Sequence, residues 1–304
     1  MYFIVVAVNV CIFVLLALSL NIIIGYAGQS AMGHAAFFGI GAYMSAIMTS
    51  TFGFNFWLSL PVSFIIAGII GAILGLISIR LKDDFLAITT IGINFVIVAI
   101  FQYSDFFGAS LGMSVDKPYI FGMKMNAPHY LVLILILIVL TCFFIYKMNK
   151  SWFGLALASI RNDEMAASSF GIDVNKYKVL TFSLGTAIAG LTGAVYAHFM
   201  TFIYSSDFAF VVSISIISMV VVGGIGTIRG PIFGAILLGV APELFRFMAD
   251  YRMIVYGGLL VLMMRFQPQG LLGENSFITK NINKIYINIF GKKGGEANAG
   301  NVEN

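Results

Sequence analysis

The side chains able to do chemistry in this sequence are few and far apart. His34 follows Gln29 and Ser30 in a glycine-punctuated stretch, Gly25-Tyr26-Ala27-Gly28-Gln29-Ser30-Ala31-Met32-Gly33-His34. Imidazole, amide and hydroxyl together could hydrogen-bond a polar solute, and a lone histidine among small residues is equally a structural hydrogen-bonding group. Thr89, Thr90 and Asn94 make a second polar patch, with Thr90 and Asn94 one helical turn apart. Pore lining and helix–helix hydrogen bonding both account for it. The acids Asp83, Asp84, Asp105, Asp116, Asp163, Glu164, Asp173 and Asp207 fall between apolar runs, and Glu243 falls in one, after Pro242 and close to Arg246. No His/Glu spacing suits a metal ion, no nucleophile constellation appears, and there is no G-x-x-x-x-G-K-[ST] phosphate loop. Cys11 and Cys142 sit inside apolar runs, with neither disulfide nor metal spacing. Neither cofactor nor metal is expected.

The elements that position these residues are membrane spans. Hydrophobic residues make up 60% of the chain and charged ones 10%, with mean hydropathy +0.98, which is incompatible with a soluble domain. Arg80 is the first charged side chain. Apolar runs at 3–24, 34–51, 56–79, 85–103, 129–146, 179–199, 210–225, 232–247 and 253–265 predict an all-α, polytopic transmembrane bundle of about 8 spans, within a range of about 8–10. Residues 1–272 form the membrane domain, and 273–304, rich in Asn, Lys and Gly, reads as a mobile tail. The pI near 9.0 reflects thinly spread loop charge and does not point to nucleic acid. The loop 147–178 carries Lys147, Lys150, Arg161, Lys176 and Lys178, whereas 104–128 carries Lys117 and Lys124. The positive-inside tendency therefore makes 147–178 cytoplasmic, in line with Arg80 and Lys82. Eight crossings with an outside N-terminus and an inside C-terminus satisfy most charges, although 246–252 fits poorly outside.

Within the charged loop, Arg161-Asn162-Asp163-Glu164-Met165-Ala166-Ala167-Ser168-Ser169-Phe170-Gly171 reads as a short helix. Asn162 is its expected N-cap, Asp163 and Glu164 complement the helix dipole, and Gly171 closes it. Such a helix outside the bilayer suits a docking surface. Glycines break the apolar sequence twice, at 25–37 and again at Gly223-Gly224-Ile225-Gly226-Thr227-Ile228-Arg229-Gly230-Pro231. Paired interruptions in the two halves predict discontinuous helices beside a translocation path, for which Gly28, Gln29, Ser30, His34, Thr89, Thr90, Asn94, Gly223, Gly224 and Gly226 are the candidates. Small residues recur every four positions at Ala67/Gly71/Gly75, Gly185/Ala189/Gly193/Ala197 and Gly226/Gly230/Gly234, spacing suited to close helix packing. An ion-coupled carrier needs intramembrane carboxylates or histidines. A transporter without them, and without a nucleotide site, is a passive channel or takes its energy from another subunit.

The sequence resembles permease subunits of branched-chain amino acid ABC transporters, of the LivM type. The resembling blocks are 20–29, 33–43, 85–90, 154–157, 160–164, Gly171-Ile172, Tyr177-Lys178, 189–194, 223–227, Gly230-Pro231 and 266–271, in order along about 20–272. The resemblance implies a bacterial inner-membrane importer subunit that works by alternating access. Its implied partners are a second permease of the LivH type, two cytoplasmic ATP-binding subunits that hydrolyse the ATP, and an extracytoplasmic substrate-binding protein. Relatives handling urea, short amides or other amino acids are the alternative, as is a stand-alone channel or carrier. The wider family carries an E-A-A-x-x-x-G element that docks on the ATPase. Here Ala166-Ala167 and Gly171 match its core, and Met165 separates Glu164 from the alanines. Arg161, Asn162, Asp163, Glu164, Ala166, Ala167 and Gly171 are thus the expected coupling residues. Family members often carry a further span ahead of the block at Leu20.

Overall fold

The computed structural model describes residues 1–79, 83–120, 123–244 and positions 257, 258, 261, 265, 270 and 271. Arg80, Lys82, 246–252, most of the span at 253–265, 266–269 and the tail from 273 lie outside the described residues.

Ten helices organise the described chain: α1 Tyr2–Asn21, α2 His34–Ser50, α3 Phe56–Ser78, α4 Asp83–Tyr103, α5 Ala127–Asn149, α6 Trp152–Asn162, α7 Glu164–Ser169, α8 Val174–Met200, α9 Phe210–Gly223 and α10 Arg229–Leu244. A π-turn, Ile22–Tyr26, extends α1. Six spans are long and apolar enough to cross a bilayer: α1 with its π-turn, α3, α4, α5, α8, and α9 taken together with the 3₁₀ turn that precedes it from Ser205. At 17 and 16 residues, α2 and α10 are shorter than the roughly 20 a full crossing takes, yet each returns the chain across the bundle. Eight passes bring the chain back to the side where it began. An even number of crossings leaves both ends of a chain on one side, so eight crossings and ends on opposite sides exclude one another by parity alone.

The core is α2. It is buried almost from end to end, because it is apolar on every side and small residues let its neighbours close in. Against it lies α8, which in turn lies against α3. A β-carbon on Gly41 of α2 would run into the Gly190 backbone of α8, and one on Gly190 would run into Ala67 of α3. Gly71 leaves room for Thr186, and Gly193 for the Phe38 carbonyl. The first two small-residue stripes thus pack helices of this one chain. The third is not one helical stripe, since Gly226 stands in the loop before α10 at φ +84° while Gly230 and Gly234 lie on α10 against Gly223. On the outside, α3 exposes Ile65, Ile69, Ile73 and Leu76, and α5 exposes Val132, Leu135, Ile136, Val139 and Leu140. Apolar faces of this kind suit lipid, since hydrocarbon is no worse a solvent for them than protein.

The two ends of the bundle differ in charge. Lys147, Lys150, Arg161, Lys176, Lys178 and Arg229 gather at the end formed by 27–33, 150–173 and 224–228, termed here the basic end. Lys117 and Lys124 lie at the other, the far end, with two short antiparallel ladders. In these, β1 Met113–Ser114 pairs with β4 Phe202–Ile203, and β2 Tyr119–Ile120 pairs with β3 Met123–Lys124. Phe208 plugs the bundle beneath β4, with ring centroids 5.1 Å from Phe38 and 5.7 Å from Tyr43, and Tyr43 stacks on Phe101 at 4.2 Å.

Candidate coupling junction

The two glycine-broken segments meet through one side chain. Asn21, the last residue of α1, is fully buried. Its Nδ2 donates to the Thr227 carbonyl and its Oδ1 accepts from the Gly226 N–H, both at 2.9 Å. The turn at Gly25 makes this possible, since a β-carbon there would overlap the Asn21 amide. Thr227 in turn donates to the Gly224 carbonyl at 3.2 Å, and its Oγ1 accepts from the Gly230 N–H at 3.0 Å, tying the loop to the start of α10. At φ 124° and 84°, Gly224 and Gly226 hold a backbone that side chains rarely adopt. The broken segments are therefore a hydrogen-bonded clamp at the basic end. Asn21→Leu removes both bonds and leaves two half-buried backbone groups without their partner, a cost of about 1–3 kcal/mol. The expected outcome is a protein that still inserts but transports at least about tenfold more slowly, as read by uptake per inserted molecule.

Arg161 joins this clamp to the charged loop. Sequence reading missed α6, which buries Ala156, Leu157 and Ile160 against the bundle. Its last turn carries Arg161, where a cation complements the helix dipole. The Arg161 Cγ lies 3.4 Å from where a β-carbon on Gly28 would stand, and its Nη1 fills the space a side chain on Gly226 would need. One side chain thus touches both broken segments. A cleft of about 450 Å³ opens here, lined by Tyr26, Asn149, Leu155, Ala158, Arg161 and Gly226.

Beyond Arg161 the chain reverses into α7, and one expectation is corrected. Asn162 does not cap α7, because α6 continues through it. Asp163 takes that role with an extended backbone (φ −159°, ψ 112°), its Oδ1 accepting from Met165 N at 2.9 Å and Ala166 N at 3.0 Å. At the other end, Gly171 takes φ 82° and Ile172 N donates to the Ala167 carbonyl at 3.2 Å, which stops the helix as expected. Ala167 is buried while Ala166 is exposed. Glu164 pairs with Lys178 at the start of α8, so this acid braces its own chain. The largest side chains exposed here are apolar, Met165 on α7 at 82% and Phe170 just after it at 88%, beside the exposed Glu164, Ser168 and Ser169.

The other expected path residues sit higher in the bundle, around the head of α2. Ser19 Oγ lies 2.7 Å from the Leu16 carbonyl and 2.7 Å from His34 Nε2, a buried contact whose donor is set by the imidazole tautomer. Met32 N donates to Thr90 Oγ1, itself bonded to the Ala87 carbonyl, both at 2.9 Å. Asn94 Nδ2 reaches the Phe208 carbonyl at 3.3 Å, and Ala35 N reaches Ser213 Oγ at 2.8 Å. Thr90 and Asn94 therefore fasten α4 to α2 and its neighbours, whereas Thr89 and Ser30 are half-buried. Gln29 is 1% exposed, and among the described residues neither amide atom finds a hydrogen-bond partner, an uncompensated desolvation for a buried polar group. The structure brings Gly28, Gly223, Gly224 and Gly226 together at the clamp, and His34, Thr90 and Asn94 at the head of α2. Asn21, Ser19 and Ser213 were missed, and the signal for Asn21 was an amide in an otherwise apolar span.

Comparison with known proteins turns this architecture into a class. Residues 2–264 match the family described as "Branched-chain amino acid transport system / permease component". The chain belongs to this permease family. The permease is 33% identical over 288 residues to the "High-affinity branched-chain amino acid transport system permease protein LivM" of Escherichia coli, covering 86% of this chain and 68% of that protein. It is 24% identical over 331 residues to the "Probable branched-chain amino acid transport permease protein LivM" of Methanocaldococcus jannaschii, covering 92% and 96%. A LivH protein of the same organism, "Probable branched-chain amino acid transport permease protein LivH", is 24% identical over 287 residues, covering 87% and 89%. No solved structure shows a significant match. The permease is a multi-pass membrane protein, and the matched range takes in Asn21, both broken segments and Arg161.

Proposed function

We propose that this permease is the LivM-type membrane subunit of an ATP-binding-cassette importer for branched-chain amino acids in the bacterial inner membrane. It pairs with a LivH-type permease, two ATP-binding subunits that hydrolyse the nucleotide, and an extracytoplasmic binding protein. The basic end is cytoplasmic, as its excess of lysine and arginine favours. Met165 and Phe170 are the apolar knobs an ATPase grips, and α6–α7 is the lever. The observation that carries this reading is the seat of Arg161 between Gly28 and Gly226. A push on α7 reaches both broken segments through one rigid turn of α6. ATP binding then favours one arrangement of the Asn21 clamp and nucleotide release the other, with the differential contacts supplying the coupling.

The test is reconstitution of the four-component complex in proteoliposomes with the binding protein, followed by uptake of labelled leucine, isoleucine, valine and urea. ATP-dependent uptake of the three aliphatic amino acids, with urea at background, is the expected result. Leucine flux by this chain alone, with no ATPase present, would overturn the importer reading, and preference for urea would overturn the substrate.

A further inference from the structure

A second cleft opens at the far end, away from the clamp, and none of the expected path residues lines it. It measures about 530 Å³, within the roughly 300–1,000 Å³ of small-molecule sites, and lies between α1, α8, α9 and α10. Of its lining residues Ser206 is exposed and Asp207 half-buried, whereas Phe38, Met219 and Leu238 are buried, so the acid lies on the open side and the hydrocarbon on the closed one. Asn9 of α1 and Ser215 of α9, both half-buried, add polar groups to the lining. No lining side chain is cationic.

Asp207 is placed with care. Its 3₁₀ turn, Ser205–Phe208, is pinned by the buried Phe208 ring, and Asp207 Oδ2 accepts from Tyr204 N at 3.1 Å. That bond fixes the carboxylate and leaves most of its lone pairs free. Among the described residues it has no lysine or arginine partner. A fixed anion over an apolar shaft is a receptor for a cation that carries an aliphatic tail. One helical turn beyond Phe38 lies His34, so the cleft ends above the bonded head of α2.

We propose that this cleft is the receiving site for substrate, with the ammonium of an aliphatic amino acid at Asp207 and its side chain against Val10, Phe38, Met219 and Leu238. This rests on the importer reading and deepens it. The site is open to the far end and separated from the basic-end cleft by packed core and the Asn21 clamp, so the two clefts are the two faces of an alternating-access path. Specificity then has two parts: Asp207 attracts the ammonium while the neutral donors of the lining, Asn9, Ser206 and Ser215, are the groups left for the adjoining carboxylate, and the shaft rewards branched hydrocarbon by removing it from water.

The test reads binding directly, without ATP. Ser215→Cys is placed in a Cys11→Ala, Cys142→Ala background of the complete complex, and its labelling by a thiol reagent is followed as leucine is added. Leucine is expected to slow labelling, and its des-amino analogue 4-methylpentanoate is expected not to. Adding Asp207→Asn, which keeps the shape and the bond from Tyr204, should raise the leucine needed at least about tenfold; Asp116→Asn, at the same end outside the cleft, should leave it unchanged. A complex that imports leucine but shows no protection, or protection that Asp207→Asn does not weaken, overturns this site. Protection without ATP-driven import would instead support the cleft and contradict the importer reading.

Discussion

Deleting residues 162–171 from the assembled complex is expected to reduce ATP-driven leucine uptake to background while the permease still inserts. The deletion removes α7 with Met165 and Phe170, the large apolar side chains that protrude most from it. It leaves the buried face of α6, formed by Ala156, Leu157 and Ile160, and every membrane helix. An exposed phenylalanine and methionine on a helix outside the bilayer gain little in the isolated chain. Buried in a partner, they are the kind of anchors that dominate association, at about 2 kcal/mol or more each. Glu164 and Lys178 contribute less to docking, since they already pair with one another. Pull-down of the ATPases should fail together with uptake. Uptake at the normal rate by the deleted protein would sink the docking assignment.

Gly190→Leu is expected to prevent the permease from folding. Gly190 is the point where α2, α3 and α8 come together: Gly41 lies against its backbone, and a β-carbon on it would overlap Ala67. Overpacking a yielding site costs about 1–3 kcal/mol, and here the new side chain meets the Ala67 β-carbon and the Ser63 carbonyl, neither of which can swing aside. Membrane helices associate mainly through such close contact, without the hydrophobic effect that rescues soluble cores. Detergent extracts should show aggregated or degraded protein on size-exclusion chromatography. Gly92→Leu is the control: nothing lies within 4 Å of its β-position, so its profile should match the unsubstituted protein. A monodisperse Gly190→Leu variant would contradict the packing described for α2.

The spans were legible because an apolar run of sufficient length has few alternatives in a bilayer, and α2 to α5 begin and end within a few residues of their expected limits. The capping of α7 was less so. Asn162 and Asp163 are both good caps, and only the extent of α6 decides between them. That extent was hidden because Gly154-Leu155-Ala156-Leu157 is too short an apolar stretch to announce a helix. The pairing of the glycine-broken segments shows the same limit. Each was visible as a local break, but their meeting depends on Asn21 reaching Gly226 across 205 residues of sequence, which no spacing rule encodes. Thr90 and Asn94 were recognisable as a one-turn patch, while their partners, Met32 N and the Phe208 carbonyl, come from elsewhere in the fold. Asp207 looked like an ordinary loop acid. Its setting comes from Phe208, which anchors the turn in the aromatic cluster.

The ratio of leucine transported to ATP hydrolysed in the reconstituted complex tests most directly whether Arg161 carries motion from the docking helix to the clamp. Arg161→Ala leaves α7, Met165 and Phe170 in place and empties the space beside Gly28 and Gly226. The expected result is ATP hydrolysis close to that of the unsubstituted complex with leucine transported per ATP lower by at least about tenfold. An unchanged ratio would contradict the account.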